Sequence, residues 1–214
     1  MCTACPEGTF QTASGSGACL ECGVGFLCAE GSSVRLPASC DAGTYLAEGV
    51  TFNSKNDCSD CPPGKACYGG SASPKACTPG TFASGWRAQE CASCEAGTFQ
   101  PLRLATACQY CNRGYYCEEG APLQLPCPSG THMNASLLVM TSVEQCVICP
   151  KGTFCSVGTD AATPCAPGTF NAHASATTCS RCPAGAYQAA EGATSCTPCT
   201  NGYYCEEGLS LIHI

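Results

Sequence analysis

A C-x-x-G tetrad recurs twelve times along this chain, and no other feature restricts its folding as much. The opening cysteines are Cys5, Cys22, Cys40, Cys61, Cys77, Cys94, Cys111, Cys127, Cys149, Cys165, Cys182 and Cys199. Glycine stands three positions on in all twelve, from Gly8 to Gly202. Two positions further an aromatic follows in nine repeats: Phe10, Tyr45, Phe82, Phe99, Tyr116, Phe154, Phe170, Tyr187 and Tyr204. Leu27, Ala66 and His132 take that place in the others. Each repeat holds one further cysteine. In long repeats it follows a gap of thirteen residues, as in Cys5 to Cys19, Cys77 to Cys91, Cys94 to Cys108, Cys165 to Cys179 and Cys182 to Cys196. Cys40 to Cys58 and Cys127 to Cys146 are stretched versions of this spacing. In the short repeats that open at Cys22, Cys61, Cys111, Cys149 and Cys199, the second cysteine follows after five residues. Twelve pairs use 24 of the 25 cysteines, and the remaining one, Cys2, sits where the closing cysteine of an upstream repeat would sit.

A longer period overlies the short one. CNRGYYCEEG from Cys111 recurs as CTNGYYCEEG from Cys199, an offset of 88 residues, and CGVGFLCAEG from Cys22 is the same segment. The expected organisation is a repeat block over residues 2–90, a second over 91–178 and the start of a third over 179–208. Residues 209–214, LSLIHI, break the pattern and are expected to be an adapter-derived read-through scar outside the natural chain. His213 falls within it.

Composition decides how such repeats must be held. Leu, Ile, Val and Phe together number 29, too few for a core of ordinary size in 214 residues. Gly (24), Pro (15) and Cys (25) dominate instead, the make-up of a disulfide scaffold. Dense disulfides persist in oxidising compartments, so the expected location is extracellular or on a cell surface. Met1 leads directly into Cys2 with no apolar leader. The chain is therefore expected to be a fragment lacking both ends of its gene product. No stretch reaches the roughly 20 apolar residues of a membrane span, so no direct membrane insertion is expected. A net charge of −7 with no run of Lys or Arg argues against nucleic acid as a partner.

Within one repeat, glycine after C-x-x suits a turn with positive φ or a close backbone approach. Thr-Phe or Thr-Tyr then favours a short strand, a small polar tip such as residues 12–17 follows, and the chain returns to cysteine. The aromatic is placed to cover the disulfide. Closing a loop of about 15 residues stabilises by roughly 3 kcal/mol, which a lone two-stranded ribbon needs. The expected fold is small and disulfide-rich: an elongated tandem array of two-stranded β-hairpins with little or no helix.

CEAGTFQ from Cys94, CAPGTF from Cys165 and EGATSC ending at Cys196 resemble the ephrin-receptor-like cysteine-rich repeats, which are akin to EGF-like and TNF-receptor-like modules. The resemblance covers residues 2 to 208. It implies an ectodomain or stalk of the kind found in receptors and large surface proteins, including many of unicellular eukaryotes. Hairpin geometry predicts bridges within long repeats: Cys5–Cys19, Cys77–Cys91, Cys94–Cys108, Cys165–Cys179 and Cys182–Cys196. Parity then closes each short repeat on itself, as Cys111–Cys117. A crossed TNF-receptor-like pattern, Cys111–Cys127 with Cys117–Cys146, is the rival.

Zinc competes for the same residues. C-x2-C-x13-C-x2-C occurs three times, opening at Cys2, Cys91 and Cys179. Sixteen cysteines fall in C-x-x-C pairs, and the other nine recur at fixed repeat positions, as halves of bridges should. Eight such pairs without a βαβ pattern read as scaffold rather than redox centre. Three histidines (His132, His173, His213) and acidic residues without calcium-loop spacing support neither catalysis nor metal, so no enzyme and no cofactor are expected. Asn134-Ala135-Ser136 is the one N-x-[ST] sequon, a candidate glycosylation site in the longest loop. Trp86, the sole tryptophan, precedes Arg87 near a hairpin tip, a pairing suited to a binding anchor; a ring folded onto the next repeat is the plain alternative. Two functions remain open: recognition of an extracellular protein or glycan ligand, and a passive spacer.

Overall fold

The computed structural model describes residues 2–23, 26–37, 39–48, 50, 52, 55–69 and 73–210. Gly25, His213 and residues 211–214 of the expected scar lie outside the described residues. The fold is a succession of two-stranded antiparallel hairpins, eleven among the described residues, each made from one repeat. Thr9–Phe10 pairs with Leu20–Glu21, and Thr169–Phe170 pairs with Ser180–Arg181 in the same register. No α-helix occurs among the described residues. Two 3-10 turns, Lys55–Asp57 and Val143–Gln145, take up the extra length of the two stretched repeats.

The turn that opens each hairpin shows why its residues are what they are. The residue after glycine donates its N–H to the carbonyl three positions back, as Thr98 does to Glu95 (2.9 Å). Glycine is the third residue of that turn, with φ of +89° at Gly97, a conformation that side chains resist. The threonine hydroxyl doubles the bond: Thr98 Oγ1 donates to the same Glu95 carbonyl at 2.7 Å. Thr9, Thr44, Thr81, Thr131, Thr153 and Thr169 repeat this contact.

Twenty-four cysteines are disulfide-bonded. Long repeats are bridged across the hairpin base, as at Cys5–Cys19, Cys77–Cys91, Cys165–Cys179 and Cys182–Cys196, with Cα atoms 5.6 to 5.8 Å apart. Cys40–Cys58 and Cys127–Cys146 close the stretched repeats. Cys94 and Cys108 are also both bonded. Short repeats close on themselves at Cys22–Cys28, Cys61–Cys67, Cys111–Cys117, Cys149–Cys155 and Cys199–Cys205. The free cysteine is the exposed Cys2.

The chain divides into two compact bodies, Met1–Ser93 with Gln100–Cys108, and Cys94–Phe99 with Gln109–Ile214. Neither has a conventional core. In the first, the buried apolar residues are mainly cysteines, with Phe52, Ala66, Ala83 and Ala105. The second adds two small clusters: Phe99 with Cys111, Cys117 and Ala121, and Met133 with Met140 on Cys127, flanked by Tyr116 and Leu137. Disulfides do the work that aliphatic packing does elsewhere.

Candidate binding surface at the hairpin tips

Successive repeats are joined by backbone hydrogen bonds of one recurring pattern. In the first body Gly8 N–H donates to Cys28 (2.9 Å), Gln11 N–H to Ser32 (3.1 Å), and Gly31 N–H returns to Cys5 (2.8 Å). In the second, Gly168 donates to Gln188 (2.7 Å), Asn171 to Ala193 (3.0 Å), and Gly192 returns to Cys165 (2.8 Å). The returning N–H belongs to a tip residue in the left-handed region. That residue is glycine in several repeats but Arg87 (φ 63°), Leu104 (φ 62°) and Ser175 (φ 65°) in others. Non-glycine residues there are uncommon, and here each is held by a bond to an opening cysteine: Arg87 to Cys61, Leu104 to Cys77 and Ser175 to Cys149. The tip also reaches the second repeat before it. A Cβ on Gly43 would meet the Arg87 carbonyl oxygen at 2.5 Å.

Trp86 and Arg87 therefore part company. Trp86 leaves 67 % of its surface exposed, so the indole is not folded onto a neighbouring repeat. Arg87 is tied down: its N–H is 2.8 Å from the Cys61 carbonyl, and its guanidinium lies 3.5 Å from Asp60. The anchored residue fixes the tip and the free one faces solvent. Other tips present large apolar side chains too, among them Leu102, Leu123, Leu138 and Val157, all exposed.

Asn134 is half-buried at the first residue of a turn, where Leu137 N–H donates to its carbonyl (3.0 Å) and Ser136 N–H to its Oδ1 (3.0 Å). His132 occupies the aromatic place with partial burial, and its Nδ1 lies 2.7 Å from the Met133 carbonyl. A carbonyl only accepts, so Nδ1 carries the proton. The ring packs in the hairpin, and no nucleophile is paired with it among the described residues.

The C-x-x-C pairs do not act as units: Cys19 bonds Cys5 while Cys22 bonds Cys28, and Cys179 bonds Cys165 while Cys182 bonds Cys196. The thiolates that a zinc ribbon needs are therefore consumed. Among the described residues no group of three or more His, Cys, Asp or Glu could hold a metal ion. No helix among them is long and apolar enough to cross a membrane.

The side-chain amide one place after the aromatic escaped the sequence reading. Gln100 Nε2 donates to Ala107 O (2.6 Å) while its Oε1 accepts from Leu102 N–H (2.9 Å), so one side chain pins the whole tip. Gln11 and Gln188 do the same. Asn171 is buried and its Nδ2 donates to Thr153 O (2.9 Å) and Thr178 O (3.0 Å). The recurrence of Gln in GTFQ, from Gly8 and from Gly97, and in GAYQ from Gly185 was the available signal.

Residues 1–34 and 152–195 match the family described as tyrosine-protein kinase ephrin type A/B receptor-like. These two segments are similar to ephrin-receptor-like cysteine-rich repeats. Outside those segments, Thr98–Phe99 with Gln109–Tyr110 and Tyr115–Tyr116 with Leu125–Pro126 pair at the same spacings as Thr9–Phe10 with Leu20–Glu21 and Thr153–Phe154 with Thr163–Pro164. Ephrin-receptor-like repeats are a non-catalytic ectodomain type, and with twenty-four bridged cysteines they point to an extracellular or cell-surface domain. No curated protein matches the chain.

Proposed function

We propose that these ephrin-receptor-like repeats form a recognition segment whose hairpin tips contact an extracellular protein ligand. The observation that carries this reading is Trp86. An exposed indole stands beside a residue whose backbone is locked by Cys61 and whose side chain is held by Asp60. A large aromatic presented on an ordered tip loses little freedom on binding, which is what makes such residues dominant anchors. Glycan ligands fit the same exposed ring.

The test is a screen of the oxidised chain against panels of extracellular domains and immobilised glycans, repeated with Trp86→Ala. A binder weakened tenfold or more by the substitution, with the disulfide map unchanged, supports recognition. Binding that ignores Trp86 removes this tip from the site. A second reading, a passive spacer, draws on the recurring backbone bonds between successive repeats within each body. It requires that neither panel yields a ligand.

A further inference from the structure

We propose that Asn134 is an N-glycosylated residue, an inference that rests on the extracellular reading above. The sequon Asn134-Ala135-Ser136 lies in the Cys127–Cys146 loop, whose bridge spans 19 residues, against 14 in the long repeats bridged at Cys5, Cys77, Cys165 and Cys182. Its conformation matters more than its existence. Ser136 N–H donates to Asn134 Oδ1 at 3.0 Å, folding the acceptor amide over its own sequon, while Nδ2 donates no hydrogen bond among the described residues. Asn171 shows the opposite arrangement, with its Nδ2 spent on two carbonyls and the residue buried. Only Asn134 combines a hydroxyl at the third sequon position with a free amide nitrogen.

The hydrogen bond to Oδ1 draws electron density toward oxygen and acidifies the Nδ2–H bond. In the modification Nδ2 attacks the anomeric carbon of an oligosaccharide carried on a polyprenyl diphosphate. The C–N bond forms, the C–O bond to the diphosphate breaks, and the lipid diphosphate leaves. Nδ2 gives one proton to a base of the transferring enzyme, and nothing is oxidised or reduced. The turn is supported from below. Met133, next to Asn134, is buried with Met140 against Cys127, and Leu137 packs on that cluster. Ala135, Ser136 and Leu138 on the same loop are exposed, leaving room for a bulky substituent.

The full chain, secreted from a eukaryotic cell behind a cleavable leader, tests the site. Digestion with peptide N-glycosidase in heavy-oxygen water should convert Asn134 to labelled Asp in most molecules. Asn134→Gln and Ser136→Ala should each abolish the mobility shift caused by the glycosidase, and Ser136→Thr should retain it. Asn134 found bare in the wild-type chain overturns the proposal. Alkylation without reduction separates the two claims. Bridged cysteines with a bare Asn134 sink the glycan site and leave the extracellular reading standing. A glycosylated chain with many free thiols supports the site and counts against the disulfide scaffold.

Discussion

Short and long repeats build the same hairpin with the second cysteine in different places. In the long repeat opened at Cys165 the bridge spans 14 residues to Cys179, which stays half-exposed. In the short repeat opened at Cys149 it spans 6 residues to Cys155, and both cysteines are fully buried. The buried sulfur in the short repeat stands one place after the aromatic, where long repeats put Gln11, Gln100, Asn171 or Gln188. That place is the junction. Cys155 N–H donates to Ala176 (3.0 Å) just as Asn171 N–H donates to Ala193 (3.0 Å). Because the junction uses main-chain atoms, the side chain there is free to be a staple or an amide. The return strand of a short repeat is the cost of this choice. Thr163–Pro164 carries no cysteine and is held by its pairing with Thr153–Phe154.

Deleting one bridge of each kind tests this comparison with the largest expected effect. Chain entropy assigns about 3 kcal/mol to the Cys165–Cys179 loop and about 2 kcal/mol to Cys149–Cys155, and emptying buried sulfur sites adds to the second. Double substitutions to Ala should therefore destabilise by similar amounts, about 2–5 kcal/mol, in chemical denaturation. Graded reduction separates them. Alkylation should trap Cys179 and Cys196 before Cys155, because thiol exchange needs access to sulfur. Early loss of Cys149–Cys155 would break the contrast.

Next in size are the turn glycines, where the two repeat types should behave alike. A Cβ on Gly152 (short) would run into the Gly192 carbonyl oxygen, and one on Gly168 (long) into that of Gly208. Both glycines also have positive φ, +79° and +83°. Gly152→Ala and Gly168→Ala should each cost about 2–4 kcal/mol by strain and overpacking. Gly85→Ala, at an open tip without positive φ, should change stability by less than about 0.5 kcal/mol. Unequal effects at Gly152 and Gly168 would show that bridge placement reaches the junction.

Asn171→Ala leaves two carbonyls, of Thr153 and Thr178, without their donor at a buried place and should cost about 1–3 kcal/mol. Gln100→Ala, exposed to water that replaces its bonds, should cost about 1 kcal/mol or less. The smallest effect concerns pH. The Ser142 hydroxyl and the backbone N–H of Glu144 itself hold the Glu144 carboxylate below the usual carboxylate range. A depressed folded value means that its contribution is present above the unfolded carboxylate pKa and lost as pH falls through the lowered one. An NMR titration of Glu144 with an ordinary midpoint would remove it.

Much of the hairpin was legible because its causes are local. Gly97, Thr98 and Phe99 announce a turn, its hydroxyl clasp and a strand within six residues of Cys94. The exposed Trp86 could be singled out by type, but its separation from Arg87 could not. Arg87 looks like a binding side chain, and its position is decided by a backbone bond to a cysteine 26 residues earlier. Leu209 makes the same point. Its carbonyl accepts the Gln188 N–H at 3.1 Å, as Ala193 accepts from Asn171, and no feature of its side chain marks that bond.

Residue order alone determined the tandem hairpins, their glycine turns and a fold held by disulfides instead of an aliphatic core. Those features rest on contacts within about one repeat and on residue types with strong conformational preferences. Tertiary structure alone decided which N–H and C=O groups join one repeat to the next, and which tip residues must turn left-handed to do so. Main-chain groups are the same in every residue, so the bonds that order Arg87, Leu104 and Ser175 leave no mark on side-chain identity.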